Sequence, residues 1–445
     1  MERILILNAV IVNDGSTVES DLLVQNGRIE KIGGDLRNLA ADMVINADGK
    51  ALFPGMIDAH VHFRQPGLTQ KGTIPSESRA AVAGGITSFM EMPNTKPATL
   101  TQALLKEKIA MAEGSAFANY SFYLGASNDN LDEIKSLDSS LACGIKLFIG
   151  ASTGNMLVDD PAVLEQIFSN APVIIAAHCE DTPTILQNER SFHEKYGEDV
   201  PIACHPLIRS RDACYLSSSM AVKMAMESGA QLHLLHLSSE EETALLSNEP
   251  MEAKQITAEA CVHHLFFAAR DYKAKGSLIK CNPAIKNAQD REALLRALAD
   301  NRIDTVGTDH APHTLAEKQA TYFKAPSGIP LVQHAFQSLL ERYHKGLFSL
   351  PLIAEKTAHA PARRFQIKDR GFIREGYWAD LTLVDLGRRH SVDDHEILHH
   401  CGWSPFSGQT FQSTITATIV SGHLAWHEGK VDPAPMGMRL EFERE

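Results

Sequence analysis

LFPGMIDAHVH, residues 52–62, is an apolar run ending in two histidines, and it is the first of eight such runs along the chain. The others are 86–92 (ITSFMEM), 119–124 (NYSFYL), 144–149 (GIKLFI), 172–178 (PVIIAAH), 231–237 (QLHLLHL), 255–261 (QITAEAC) and 303–308 (IDTVGT). Helical patterns separate them. Near-continuous apolar strands alternating with helices call for a parallel sheet covered by helices, and eight of them predict an α/β fold of the (β/α)8, TIM-like barrel type. Helix starts are legible as well: Thr99 with Gln102 reads as a capping box before QALLKEKIAMA, Asp160-Pro161 opens AVLEQIF, and Ser238-Ser239 precedes EEETALL.

Outward from these runs the texture changes. Residues 1–51 read as short strands with turns at Asn13-Asp14-Gly15, Asn26-Gly27 and Asp48-Gly49, and the same pattern returns in GYWADLTLVDL and TITATIVSGHLAWHEGK. The expected organisation is a barrel over 54–364 and one small β-sandwich domain built from 1–53 and 365–445. No repeat of 20–50 residues is visible, which excludes a solenoid.

The 445 residues are 44% hydrophobic and 22% charged, ordinary globular usage that excludes collagen-like and disordered chains. A net charge of −13 with no long Lys/Arg run lacks the electrostatic footprint of a nucleic-acid or anionic-membrane partner. A small anionic substrate would therefore be held by a few local cations. No apolar stretch approaches the ~20 residues of a membrane helix, and the opening MERILILNAVIVNDG resembles strands rather than a signal peptide, so a cytoplasmic location is expected. The seven cysteines include no C-x-x-C pair, which suits reduced thiols better than a disulfide framework.

Histidine carries the first hint of chemistry, with 20 in the chain. In Asp58-Ala-His60-Val-His62-Phe-Arg64-Gln-Pro-Gly67, two histidines two apart share one side of a strand, where one cation can bind both. Lys146, His178, His236 and Asp309 each lie near the C-terminal end of a separate predicted strand, the end at which barrel enzymes place catalytic groups. His233, three before His236, is expected to be structural. His263-His264 reads as packing or support rather than metal ligation, and Asp58 as a brace for the His60/His62 pair.

This arrangement resembles the amidohydrolase superfamily of metal-dependent barrels and, within it, the dihydroorotase family. The likeness runs through DAHVHFRQPG at 58–67, MPNTKP at 92–97, GIKLF at 144–148, AHCE at 177–180, HLSS at 236–239, CNPAIK at 281–286 and TDHAPH at 308–313. It implies reversible interconversion of L-dihydroorotate and N-carbamoyl-L-aspartate. By the same resemblance, His60, His62 and Asp309 hold one divalent metal ion, His178 and His236 hold a second, and Lys146, made a carbamate by carbon dioxide, bridges them. Such ligands suit zinc without excluding manganese or cobalt. Some relatives place an aspartate shortly after the fourth-strand Phe; here Phe148 is followed by Ile149, Gly150 and Ala151.

Asp309 is the candidate general acid/base. Arg64, whose planar fork matches a carboxylate, Asn94 and His313 resemble the family's carboxylate clamp, Asn282 matches a ring-contacting position, and Thr153 could reach over the substrate. The stretch SGIPLVQHAF at 327–336 departs from the Gly-Leu-Glu of many relatives. Allantoinases and dihydropyrimidinases (hydantoinases) share the metal set, so the organic pocket must separate them, and a non-catalytic binding homologue is the alternative of another kind. The oligomeric state, a homo-oligomer included, stays open.

Overall fold

The computed structural model describes residues 3–150 and 156–444. The eight expected strands form a parallel ring in two arcs, the third being divided at Tyr123 into two strands, one in each arc. Met56–Val61, Ile86–Glu91 and Asn119–Phe122 make one; Leu124–Gly125, Ile145–Ile149, Ile175–Cys179, Leu232–Leu234, Ile256–Cys261 and Thr305–Gly307 make the other. Tyr123 joins the arcs on one side. On the other, a parallel bridge between Val61 and His310 and the 2.7 Å hydrogen bond from His62 N to His310 O bring the last strand back to the first. The barrel strands are almost wholly buried, as a sheet covered on both faces must be.

The run 52–62 is not one strand. Ala51–Pro54 belongs to a separate sheet, Gly55 turns the chain, and the first barrel strand begins at Met56. A side chain at Gly55 would meet the Thr87 methyl at 2.1 Å, so glycine is what lets the backbone cross here. The separate sheet has nine strands from both ends of the chain, with Ile4–Asn13 paired to Ser16–Gln25 and to Ala51–Pro54. Leu381–Asp385 then lies antiparallel to Ala51–Pro54 with Leu383 opposite Leu52. Ile4, Leu22, Leu52, Leu381 and Ile419 fill its core, each worth roughly 1.5–3 kcal/mol when fully buried.

The helix starts at Asp160 and Ser239 stand where the sequence placed them, the latter with a Ser239/Glu242 capping box. The cap of helix Gln102–Ala112 is Thr101, whose hydroxyl accepts from Leu104 N, and not Thr99. Thr99 is drawn into a turn in which its N–H donates to Pro93 O. No helix among the described residues is long and apolar enough to cross a membrane.

Two later segments return to the barrel. Trp403 donates its indole N–H to His313 O at 2.8 Å, and Leu440 N donates to Tyr120 O.

Candidate active site and metal centre

At the C-terminal rim of the ring, His60, His62, Arg64, Asn94, Lys146, His178, His236, Asn282 and Asp309 line one cavity of about 110 Å³. His62 follows the first strand directly, His236 and Asp309 each stand two residues past a strand end, and His178 is fourth in its own strand. Lys146 differs: it is second in Ile145–Ile149 and reaches the cavity by the length of its side chain, its Nζ 4.5 Å from the Phe148 ring centroid. Arg64, His236 and Asp309 all have left-handed backbone, with φ of 73°, 37° and 49°. For non-glycine residues this conformation is costly, and three such residues around one cavity mark a geometry held in place by its surroundings.

The donors converge. His60, His236 and Asp309 each offer an atom within 4.8 Å of the others. Asp309 Oδ1 lies 3.0 Å from His62 Nε2 and 3.2 Å from His60 Nε2. His178 Nδ1 faces His236 Nε2 at 2.8 Å. Each of three histidines is anchored through its other nitrogen: His60 Nδ1 on Glu259 Oε1 at 2.8 Å, His178 Nε2 on Glu180 Oε2 at 2.9 Å, and His62 Nδ1 on Asn94 Oδ1 at 2.7 Å. An N–H donated to those oxygens turns the opposite nitrogen toward the cavity, and in the neutral ring that nitrogen is a lone pair, the pattern of a metal-ligating imidazole. His60, His236 and Asp309 fit a divalent cation.

Charge follows the same lines. Burial works to lower the His60 pKa, yet the Glu259 and Asp309 carboxylates raise it to about 9. His62 is pushed down by burial to about 4, and burial likewise brings the Lys146 amine down to about 8. Burial opposes ionisation of Glu180, but Arg209, donating to it at 2.6 Å, and His178 hold it near about 2.

Arg64 and His313 lie beside the donors. Arg64 is 7% exposed, donates Nε–H to Pro312 O at 3.2 Å, and places Nη2 3.0 Å from His313 Nε2. Among the described residues no carboxylate comes within 4.0 Å of it, and burial lowers its pKa to about 10. Gly328 packs against His313, and a side chain there would meet the imidazole at 2.8 Å. Asn282 accepts from Ser327 Oγ at 2.9 Å. Thr153 lies outside the described residues.

Asp58 binds Thr308 through both oxygens, at 2.6 Å to the hydroxyl and 3.1 Å to the amide, and so ties the first strand to the segment after the eighth. His233 bridges the hydroxyls of Thr257 and Thr305 below the rim. Three residues escaped the sequence reading. Glu259 and Glu180 left a signal, each an acid in or directly beyond an otherwise apolar run. Lys71, 3.0 Å from His313 Nδ1 and 2.8 Å from Glu317 Oε1, left none.

A parallel barrel whose rim gathers histidines, a buried lysine and an aspartate around one small cavity defines a barrel hydrolase. Residues 51–425 match the amidohydrolase family model. The chain is 34% identical to a dihydroorotase of Halobacterium salinarum over 95% of this chain and 96% of that protein. It is 31% identical to an allantoinase of Solibacter usitatus, over 99% and 97%. The structure of an L-hydantoinase (dihydropyrimidinase) from Arthrobacter aurescens superposes with a TM-score of 0.94 at 26% identity, covering 99% of this chain and all of that one. This chain belongs to the amidohydrolase family.

Proposed function

We propose that the protein is a dihydroorotase, opening L-dihydroorotate to N-carbamoyl-L-aspartate and closing it again. The observation that carries this reading is Arg64: a buried guanidinium with no carboxylate partner among the described residues, on the wall of the cavity that holds the metal donors. A buried cation without a counter-ion is costly, and the carboxylate of dihydroorotate supplies one. Hydantoin, dihydrouracil and allantoin carry no carboxylate.

His60, His62 and Asp309 would hold one divalent ion, His178 and His236 the other, and Lys146 as its carbamate would bridge them, with zinc the best match to the ligand types. When bound, such a pair supplies Lewis acidity and lowers the pKa of water toward neutrality. The residues do the rest. Arg64 and His313, with the Asn94 amide, fix the carboxylate and so place the ring amide beside Asp309. Asp309 accepts the proton of the attacking water as the C–O bond forms, then returns it to the ring nitrogen as the C–N bond breaks. Asn282, held by Ser327, faces the ring. Burial favours the neutral amine of Lys146, the form that reacts with carbon dioxide.

The hydantoinase fold and the allantoinase relative favour a second reading, hydrolysis of an uncharged cyclic amide. Purified protein assayed against dihydroorotate, carbamoyl-aspartate, allantoin and dihydrouracil, with metal content measured before and after chelation, separates the two. Turnover of dihydroorotate that is lost on chelation and weakened ~10–150-fold in kcat/KM by Arg64→Ala is expected from the ~1.5–3 kcal/mol of a charged hydrogen bond. Turnover of allantoin or dihydrouracil with none of dihydroorotate overturns the substrate.

A further inference from the structure

Behind the cavity wall lies a second cluster of donors. His263 and His264 follow one another in the helix Val262–Phe266, and Cys281 comes from the segment that leads to Asn282. All three are buried, at 1%, 3% and 2% exposure. Each offers one donor atom within 4.8 Å of the others.

Two features are unexpected for mere packing. Neighbouring residues of a helix do not face each other, yet the His263 and His264 rings have turned into one space with centroids 4.1 Å apart. Buried ring nitrogens almost always find partners, yet Nδ1 of His264 and both nitrogens of His263 complete no hydrogen bond. The Thr308 backbone faces His263 without a well-aligned hydrogen bond. His264 donates Nε2–H to Pro283 O at 3.0 Å, which leaves its Nδ1 as a bare lone pair in the cluster. A backbone carbonyl that fixes the tautomer of an imidazole whose other nitrogen stays free is the outer arrangement of a metal ligand. Cys281 Sγ lies 3.2 Å from the same carbonyl.

We propose that His263, His264 and Cys281 bind a borderline-soft divalent cation of the zinc class, at a site separate from the donors of the rim. Two neutral imidazoles and one thiolate suit such an ion, and hard cations such as magnesium are disfavoured. Binding replaces the thiol proton: the S–H bond breaks, the sulfur–metal bond forms, and the proton leaves to solvent. With metal–sulfur and metal–nitrogen bonds of ~2.3 and ~2.0 Å, the donors close inward by side-chain rotation. The ion would fix the segment that presents Asn282, next to Cys281, to the cavity.

Cobalt(II) is the probe, because the ligands assigned to the rim contain no sulfur and a thiolate–cobalt charge-transfer band in the near ultraviolet reports a bound cysteine; Cys261, which is grouped with His60 and Glu259, is told apart from Cys281 by the variant that loses the band. Apoprotein of the full chain is loaded with cobalt and its bound metal counted. The wild type and Lys146→Ala should both show the band; Cys281→Ser should lose it together with one metal equivalent per chain. His264→Gln, with folding checked by circular dichroism, should weaken it. Loaded wild-type protein without the band overturns the site whatever the variants do, as does an equal metal count in wild type and a folded Cys281→Ser.

Discussion

The side-chain oxygen of Asn94 accepts a hydrogen bond from His62 Nδ1 at 2.7 Å. That contact fixes two things at once: the His62 tautomer, with Nε2 bare toward Asp309, and the orientation of the Asn94 amide, whose NH2 remains for a substrate. Asn94→Asp keeps the acceptor and removes the donor. The variant should retain its metal while KM for dihydroorotate rises, whereas Asn94→Ala should lose ~10–100-fold in metal affinity or activity, as removal of such outer partners does. Equal metal loss in both variants would show that the amide does not serve the substrate.

Lys71 lies against the far nitrogen of His313, and its ammonium can only donate, so this contact favours a lone pair on Nδ1, while Nε2 lies 3.0 Å from both the Arg64 guanidinium and Ser327 O. In Lys71→Met that preference is gone. We expect KM to rise about tenfold, the worth of one ~1.4 kcal/mol interaction, with metal content unchanged and partial recovery in Lys71→Arg. A fall in kcat at constant KM would place Lys71 elsewhere in the reaction.

Lys146→Ala should lose bound metal and activity together, and short carboxylic acids should restore part of both by standing in for the bridging anion. Full activity in this variant would exclude the bridge.

Acid should weaken the fold from a defined pH. Burial lowers His233 to about 3 and His399 to about 4, while their unfolded values stay near ~6.5. Below ~6.5 the unfolded chain therefore binds protons that the folded chain refuses, so stability present at neutral pH falls by ~1.4 kcal/mol per pH unit for each group. For His399 the loss continues to about 4. Urea midpoints of metal-free protein should drop between pH 7 and 5, and His399→Gln should shallow that dependence by one proton. An identical slope in the variant would remove His399 from the account.

Arg370 and Asp380 form a pair with side chains only 3% and 4% exposed, and Asp380 also accepts from Asn119 Nδ2 at 2.9 Å, tying the terminal sheet to the third barrel strand. Arg370→Met leaves a buried carboxylate uncompensated, at a cost of ~3–5 kcal/mol. Adding Asp380→Asn should recover part of the loss in a denaturant titration. Strict additivity of the two losses would show that they do not act as a pair.

The sequence reveals what repeats along it. Eight apolar runs announced the barrel, and histidines at their ends announced the rim, because strand alternation and strand ends are local properties. Gly55 hid the boundary inside 52–62, since an apolar strand of the terminal sheet and one of the barrel look alike when read in order. Lys71 and Glu317 were invisible for another reason: their partnership with His313 depends on two loops meeting, and neither loop has a period to read. His263 and His264 were legible as residues, but the turn of both rings toward Cys281 is a fact of packing.

The pairing of Leu383 with Leu52 also orders events during synthesis. When Ala51–Pro54 leaves the ribosome, its neighbour on that side is still more than three hundred codons away. Until then the nascent chain carries an exposed strand edge ready to join any extended peptide, a period in which a holding chaperone has something to hold. Late-made residues thus act as a latch on early-made ones, and a ribosome stalled before codon 381 would release a barrel sequence whose first sheet has no closing strand.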